Sequence, residues 1–259
     1  MNETEITAAA TALAEAEQRR APIEPLTERY PGLDVAAAYA IQLRNVERRV
    51  ARGEQLRGHK VGLTATAMQE LFGVDEPDYG HLLESMFISD GATVSLDRFI
   101  DAQVEVEPAF ILGADLRGPG ITPDDVIAAT TAVVPALEII DSRIVDWTIK
   151  LEDTVADNGS SAAVVLGSTP VPLDSAALDD AAVRLEIDGE VIERGSTRDI
   201  LGHPTIAVAW LANALAQFDI GFDAGHVVLP GTCTRSTRLR QGRVSGRIAG
   251  LGSVGLTVE

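Results

Sequence analysis

The chain has 259 residues, of which 46% are hydrophobic and 23% are charged, so it can bury a sizeable core and is not expected to be disordered. Its formal net charge of −18 argues against nucleic acids and anionic membrane surfaces as partners, because phosphate groups are bound by Lys and Arg. The sequence contains no run of about 18 apolar residues and has acidic residues near its start, so we expect a cytoplasmic protein with no membrane span and no signal peptide.

Two helices are predicted near the start of the chain. Residues 4–20 are rich in Ala, Glu and Leu and are followed by Pro22. The same composition returns over residues 34–52, which open with an aspartate suited to an N-cap and are followed by Gly53. We therefore expect residues 1–55 to form a helical N-terminal portion.

The rest of the chain, residues 56–259, has the pattern of a β-rich body. Short runs of β-branched and other apolar residues are separated by Gly, Pro and Asp, and Asp188-Gly189 is typical of a two-residue hairpin turn. Two helices interrupt this pattern, one that begins with Thr122 as N-cap and an Ala-rich one from His203 to Gln217. Without a long linker or an internal repeat, we expect an α+β fold in which the helical portion packs on one β-rich core.

Three glutamates stand out because they lie in apolar runs. Glu105 and Glu107 are two residues apart in the run 104–112, so in a strand their side chains point to the same face. Two like charges in a poorly solvated place either share a proton or hold a cation. Glu138 lies in a second apolar run, 133–140. The three acids indicate a metal site, although the spacing alone is also compatible with a Glu pair on the solvated face of an edge strand.

The available residue types restrict the metal. An all-carboxylate set favours hard divalent ions such as Mg²⁺ or Mn²⁺ over zinc. The single cysteine, Cys233, permits no thiolate zinc cluster and no intramolecular disulfide. Any metal must therefore use oxygen or imidazole ligands.

Lys60 and Asp78 are candidate catalytic residues. Lys60 lies in a strand-like run between Gly58 and Gly62, where it can approach a ligand closely, and a desolvated ammonium has a lowered pKa that suits proton transfer. Asp78 lies in the turn cluster 75–80 and can orient a lysine or a water molecule. The alternatives are a surface lysine and an acidic turn residue that hydrogen-bonds its own backbone.

Two loops are candidates for binding a substrate carboxylate. The loop 153–161 offers hydroxyl and backbone N–H groups, and the hydroxyl-rich loop 231–236 contains Arg235, which can clamp a carboxylate. Each loop also fits a simpler interpretation, a plain turn for the first and balance of surface charge for the second. Trp147 is predicted in the core, and the Asp and Arg of residues 141–143 in a structural ion pair.

Motifs spread over nearly the whole chain occur in the order found in one known family: Gly58-His59-Lys60-Val61-Gly62, Asp75-Glu76-Pro77-Asp78, Pro135-Ala136-Leu137-Glu138, Asp141-Ser142-Arg143, Asp153-Thr154-Val155-Ala156-Asp157-Asn158 and Leu201-Gly202-His203-Pro204. They resemble the 2-keto-4-pentenoate hydratase and 4-oxalocrotonate decarboxylase family, within the fumarylacetoacetate hydrolase superfamily. The resemblance implies a β-rich roll with an N-terminal helical portion, assembled into a homo-oligomer.

The same resemblance implies roles for individual residues. It implies that the three glutamates hold a divalent ion, Mg²⁺ or Mn²⁺. It matches Lys60 to the acid/base lysine of the family and Asp78 to a turn aspartate near the active site. It matches Ser160 to a serine that lines the substrate pocket.

The subgroup is predicted from smaller stretches. Residues 144–147 and Cys233-Thr234-Arg235 resemble the hydratases, so we expect hydration of 2-hydroxypenta-2,4-dienoate (2-keto-4-pentenoate), or a close alkyl analogue, to 4-hydroxy-2-oxopentanoate in meta-cleavage catabolism of aromatic compounds or steroids. The alternatives are decarboxylation of 4-oxalocrotonate and a non-catalytic subunit that binds another pathway enzyme. The pocket wall that sets the length of the alkyl tail is expected around Phe87, Phe110 and Ile139.

Overall fold

The computed structural model of the protein describes residues 1–64 and 77–259, so Asp75 and Glu76 of the predicted turn cluster lie outside the described residues. The helices of the described part are α1 (Glu3–Arg19), α2 (Leu26–Arg29), α3 (Val35–Ala51), α4 (Pro123–Ala129), α5 (Leu151–Ala156) and α6 (Pro204–Leu215). Its strands are β1 (Leu56–Gly62), β2 (Asp78–Leu83), β3 (Phe87–Ile88), β4 (Thr93–Val94), β5 (Gln103–Leu112), β6 (Thr130–Ile140), β7 (Ser161–Leu166), β8 (Ala182–Ile187), β9 (Glu190–Ser196), β10 (Val227–Leu229), β11 (Thr237–Arg238), β12 (Gly242–Ile248) and β13 (Gly252–Val258). Within these ranges, no helix is long and apolar enough to cross a membrane.

Helices α1 and α3 confirm the predicted N-terminal helices, because their first turns carry suitable caps. The Asn2 side chain accepts a hydrogen bond from the N–H of Glu5 at 3.0 Å, and the Asp34 side chain accepts one from the N–H of Ala37 at 2.8 Å. The apolar faces of α1 and α3 pack on each other and on α5 through a cluster of small and aliphatic side chains. The helical portion thus shares a core with the short helix that precedes the loop around residue 158.

The larger sheet positions most of the candidate residues. Its strand order is β2-β1-β10-β5-β6-β7-β3, with β11 added to β5. Strands β5 and β6 are the long antiparallel pair at its centre, and β1 pairs in parallel with β10. Residues far apart in sequence, on β1, β5 and β6, are therefore brought onto neighbouring strands of one sheet.

A second sheet of five strands, in the order β4-β13-β12-β8-β9, covers one face of the first. Its β8–β9 hairpin turns at Asp188 and Gly189, whose φ angles of 53° and 83° place both residues in the left-handed region. Such a turn matches the twist of the two strands, and it confirms the predicted hairpin.

Side-chain alternation on β5 and β6 separates a core face from a site face. A Cβ placed on Gly246 of β12 would lie 2.9 Å from Leu137 and 3.0 Å from Val106, so the second sheet packs directly on these two residues. Because successive side chains point to opposite faces, Glu105 and Glu107 lie on the side away from that core. The α+β architecture therefore places the acidic pair against the helices and loops and not between the sheets.

Candidate active site and metal centre

The three glutamates form one cluster. In the antiparallel pairing of β5 with β6, Glu105 lies directly opposite Glu138, and Glu107 follows two residues later on the same face. One oxygen from each carboxylate lies within 4.8 Å of the other two. Glu107 and Glu138 are buried, whereas Glu105 is partly exposed. The edge-strand alternative is wrong, because β5 lies in the interior of the sheet.

The electrostatics of this cluster indicate a cation. Burial, followed by the charge of Glu138, raises the pKa of Glu105 to about 8 and raises that of Glu107 well above its ordinary value. Glu107 Oε2 accepts a hydrogen bond from the N–H of Gly231 at 2.9 Å, whereas Glu138 Oε1 accepts none from the described residues. Buried carboxylates with free lone pairs and only oxygen donors fit a hard divalent ion, which would replace the missing counter-charge.

Lys60 lies next to the cluster. It is 4% exposed, and its Nζ lies 3.8 Å from Glu138 Oε1. Burial acts to lower the pKa of Lys60, but the negative charges of Glu138, Asp78 and the other glutamates outweigh burial and raise it. Without a bound cation, the acids thus reverse the lowering of the Lys60 pKa that desolvation alone would cause.

Asp78 lies beside Lys60 because glycine occupies position 62. Strands β1 and β2 pair Gly62 with Asp78, and a Cβ on Gly62 would lie 2.0 Å from Asp78 Oδ1 and 3.3 Å from Lys60 Nζ. Asp78 is buried, and burial raises the pKa of its carboxyl group. Its Oδ1 has no hydrogen-bond partner within the described residues. A lysine, an aspartate and the acidic cluster thus lie together on one side of the sheet.

The loop after α5 passes over the lysine. Gly159 has a φ of 58°, and a Cβ at this position would lie 2.5 Å from Lys60 Cε. The next residue, Ser160, is buried, and its Oγ donates a hydrogen bond to Asp157 Oδ2 at 3.2 Å. Asp157 also accepts from the backbone N–H of Arg143 at 3.0 Å and forms a buried ion pair with its guanidinium. This ion pair stabilises Asp157, which in turn positions the Ser160 hydroxyl.

A cavity of about 240 Å³ joins these groups. Lys60, Asp78, Glu105 and Ser160 all line it, while the buried Glu107 and Glu138 do not. A cavity with convergent polar groups and perturbed carboxyl pKa values is the usual form of a small-molecule site. The other described residues that line it are Val61, Gly62, Leu63, Thr64, Gln103, Ile140, Trp147, Ile149, Thr154, Gly159, Thr232 and Ser236.

Two predicted positions differ from this arrangement. Arg235 is exposed and does not line the cavity, although Thr232 and Ser236 of the same loop do. Trp147 lines the cavity and is not a core residue, because the turn that carries it lies at the cavity wall. The structure brings Lys60, Asp78, Ser160 and the glutamates together and leaves Arg235 apart from them.

The prediction of a pocket wall around Phe87, Phe110 and Ile139 is wrong. Phe110 and Ile139 are fully buried in the core between the sheets, and Phe87 does not line the cavity. The residues that do line this part are Gln103 and Ile140, which lie two positions from Glu105 and Glu138 and therefore share their face. The alternation of strand side chains is a signal that could have identified them.

Comparison with known proteins agrees with this fold. Residues 49–259 match the model of the fumarylacetoacetate (FAA) hydrolase C-terminal family. The chain belongs to the fumarylacetoacetate hydrolase family. This result confirms the predicted superfamily and its α+β fold.

Three relatives of this fumarylacetoacetate hydrolase family member are hydratases. The chain is 42% identical over 257 residues to a 2-keto-4-pentenoate hydratase of Burkholderia vietnamiensis. The aligned region covers 99% of this chain and 98% of that relative. It is 44% identical over 225 residues to a 2-hydroxyhexa-2,4-dienoate hydratase of Comamonas testosteroni (85% and 84%). It is 41% identical over 236 residues to a 2-oxo-hept-4-ene-1,7-dioate hydratase of Escherichia coli (89% and 88%).

Among solved structures, a 4-oxalocrotonate decarboxylase from Pseudomonas putida G7, complexed with magnesium and adipate, superposes with a TM-score of 0.96 at 34% identity and covers 100% of this chain and 99% of its own. The same decarboxylase complexed with calcium and acetate gives a TM-score of 0.95. These metal-bound relatives and the carboxylate cluster support a divalent metal in this family member.

Proposed function

We propose that the protein hydrates 2-hydroxypenta-2,4-dienoate, or a close alkyl analogue, to a 4-hydroxy-2-oxo acid. The observation that carries this proposal is that Lys60, Asp78 and Ser160 line one cavity together with Glu105, whose carboxylate clusters with those of Glu107 and Glu138. The similarity of 41–44% to hydratases that act on such 2-oxo and dienoic acids supports it.

The three glutamates would hold the metal, which we propose to be Mg²⁺ or Mn²⁺ because every ligand is a carboxylate oxygen. When bound, the ion supplies Lewis acidity to a substrate chelated through its 1-carboxylate and 2-oxygen. The protein's own task is to keep three like-charged groups close together, and the buried sheet does this. The N–H of Gly231 fixes the orientation of Glu107 at 2.9 Å.

Lys60 is proposed to move the protons. The reaction removes a proton from the 2-hydroxyl and adds one at C5, which places the remaining double bond between C3 and C4, in conjugation with the new carbonyl. Water then adds its oxygen at C4, and a proton is added at C3. The buried ammonium, flanked by Asp78 and covered by the Gly159 backbone, is shielded from bulk water while it serves as acid and base.

Ser160 and Asp78 are proposed to orient the reactants. The Ser160 hydroxyl lines the cavity and is positioned by Asp157, so it can bond a substrate oxygen by rotating its O–H. Asp78 has one oxygen without a partner in the described structure, which suits it to hold the Lys60 ammonium or the attacking water. The predicted role of Arg235 as a carboxylate clamp stays a prediction.

Decarboxylation of 4-oxalocrotonate is the second candidate, because the decarboxylase from Pseudomonas putida G7 has nearly the same fold. It needs the same chelate and a substrate with a second carboxylate. A non-catalytic role fits less well, because Lys60, Asp78 and the three glutamates are all present and clustered.

One assay tests these alternatives. The purified protein is incubated with Mg²⁺ and either 2-hydroxypenta-2,4-dienoate or 4-oxalocrotonate, while dienoate absorbance, the 4-hydroxy-2-oxo acid and CO₂ are measured. Formation of the hydroxy acid without CO₂ supports the hydratase. Release of CO₂ from 4-oxalocrotonate without hydration identifies a decarboxylase, and no turnover of either substrate contradicts both enzymatic proposals.

Assembly and partners remain predictions from the family resemblance, and the location remains a prediction from the amino-acid sequence. We propose a homo-oligomer that associates with other enzymes of its pathway in the cytoplasm. Light scattering coupled to size-exclusion chromatography checks the first of these, since a monomer at micromolar concentration would contradict it.

A further inference from the structure

The cavity has a direction that the strands define. Along β5 and β6, the side of the sheet that carries the glutamates presents first the pair Glu105 and Glu138 and then the pair Gln103 and Ile140. Glu105, Gln103 and Ile140 line the cavity. Two residues of antiparallel strand span about 7 Å. A 2-oxo acid held at the carboxylate cluster and extended along the strands would therefore reach the second pair with the far end of its chain.

Trp147 lines the cavity at this end. Its indole Nε1–H donates a hydrogen bond to the backbone oxygen of Asp101 at 3.0 Å. Asp101 precedes Gln103 by two residues in the sequence. Asp146 and Trp147 have φ angles of 51° and 55°, a conformation that bulky residues rarely adopt. The hydrogen bond and the unusual turn hold the ring at the cavity wall, where Ile149 also lies.

The charges of this end are unfavourable for an anion. Lys60 is the one cationic residue in the described lining, and it lies beside Glu138 and Asp78. Residues 65–76, which the structure does not describe, contain no Lys, Arg or His in the sequence. Lys150, Arg235 and Arg238 are exposed and do not line the cavity. Arg238 lies opposite Gln103 in the β11–β5 pairing, and its guanidinium is paired with Asp101 at 2.7 Å. A carboxylate at the tail of the substrate would find the apolar side chains of Ile140, Trp147 and Ile149 and the uncharged amide of Gln103.

We propose that Trp147, with Ile140 and Ile149, is the specificity wall for the substrate tail, and that it selects a short uncharged alkyl tail against a terminal carboxylate. This inference rests on the proposed function. It would separate the protein from its dioate-hydrating relative of Escherichia coli, despite their 41% identity. Burial of a methyl or ethyl tail against these side chains stabilises the complex, whereas an unpaired carboxylate there loses its hydration.

The test uses saturated 2-oxo acids, which have no double bond to hydrate, and measures their binding by isothermal titration calorimetry in Mg²⁺. We expect 2-oxohexanoate to bind at least about tenfold more tightly than 2-oxoadipate, which has the same chain length and a second carboxylate. In Trp147→Ala, the affinity for 2-oxooctanoate relative to 2-oxobutanoate should rise about tenfold. Ile149→Phe should lower the same ratio, which keeps the test decisive if the first variant folds poorly.

Trp210→Phe is the matched control, because the other tryptophan of the chain packs against the core and does not line the cavity. Its chain-length profile should equal that of the wild type. Equal affinities for 2-oxoadipate and 2-oxohexanoate would overturn the proposed specificity wall. So would a dependence of affinity on chain length that is unchanged in both wall variants. Neither result would contradict the proposed hydratase activity. Failure of every 2-oxo acid to bind overturns the proposed function, and this inference with it.

Discussion

Lys60 Nζ lies 3.8 Å from Glu138 Oε1, although two strands, β10 and β5, separate their strands in the sheet. The long lysine side chain crosses the face of the sheet to reach the acidic cluster. The group proposed to move protons and a group proposed to hold the metal are thus in direct electrostatic contact. The effects of substituting Lys60 and Glu138 can be distinguished experimentally, because metal binding and turnover are measured independently.

The lysine can be tested against a natural control. Lys60 and Lys150 are the only lysines in the chain, and Lys150 is exposed. We expect Lys60→Ala to lower kcat about 10²- to 10⁴-fold, the usual contribution of a positioned acid or base, while Mn²⁺ still binds. Lys150→Ala should leave kcat unchanged. A Lys60→Ala enzyme with normal kcat would remove this residue from the chemistry.

The carboxylate cluster predicts metal dependence. Treatment with EDTA should abolish hydration, and added Mg²⁺ or Mn²⁺ should restore it. Glu107→Gln should weaken Mn²⁺ binding by more than about 100-fold in a titration followed by electron paramagnetic resonance, because it removes a direct ligand. Glu190→Gln makes the same charge change at an exposed position in the second sheet and should have no effect. Full activity after EDTA treatment would contradict the metal proposal.

The ion pair behind the Ser160 loop predicts a large loss of stability. Arg143 and Asp157 are both buried, and burial raises the pKa of Asp157 to about 6 despite the guanidinium. Arg143→Met leaves a buried carboxylate without its partner and should lower the free energy of unfolding by about 3–5 kcal/mol in urea titrations. Arg198→Met breaks an exposed pair with Asp180 and should cost less than about 1 kcal/mol. Similar losses in both variants would contradict this assignment.

The buried histidines predict that stability falls in mild acid. Burial lowers the pKa of His81 to about 4, and burial with the neighbouring His81 lowers that of His59 well below its usual value. Between pH 6.5 and 4 the unfolded chain binds protons that the folded chain does not, so stability decreases as the pH falls. For His81 alone this amounts to about 2 kcal/mol between pH 7 and pH 5.

Urea titrations at these two pH values measure this effect. His81→Gln should reduce the difference between them, because the unfolded variant has one proton fewer to gain. His203→Gln changes a histidine that caps α6 and contacts Thr205 instead of the His59–His81 pair. An unchanged difference in the His81 variant would show that other groups cause the loss of stability in acid.

Arg235 remains to be tested as a carboxylate clamp. If it contacts the bound substrate, Arg235→Gln should raise KM about tenfold, the value of a hydrogen bond to a charged group, and leave kcat nearly unchanged. Arg247→Gln removes the same charge from an exposed position on β12 and should leave both constants unchanged. Equal KM values for the two variants would show that the exposed position of Arg235 excludes it from the site.

The candidate site was predictable where it depends on local rules. The spacing of Glu105 and Glu107 predicts a shared strand face, and the period of two fixes this in any strand. The glycines around Lys60 predict close approach, and Gly62 does leave the space that Asp78 fills. Glu138 stood out only as an acid in a second apolar run, and the resemblance to a known family added the role of Ser160. No local pattern connects either residue to the others.

The sequence by itself determined the N-terminal helices, the hairpin at Asp188 and Gly189, and the acidic pair, because caps, turn residues and strand alternation act within a few residues. Only the tertiary structure decided that Glu138 faces Glu105, that acids outweigh burial at Lys60, and that Trp147 and not Phe110 lines the cavity. These relations depend on strand register and on which sheet face is covered. They arise between residues distant in sequence, where local propensity carries no information.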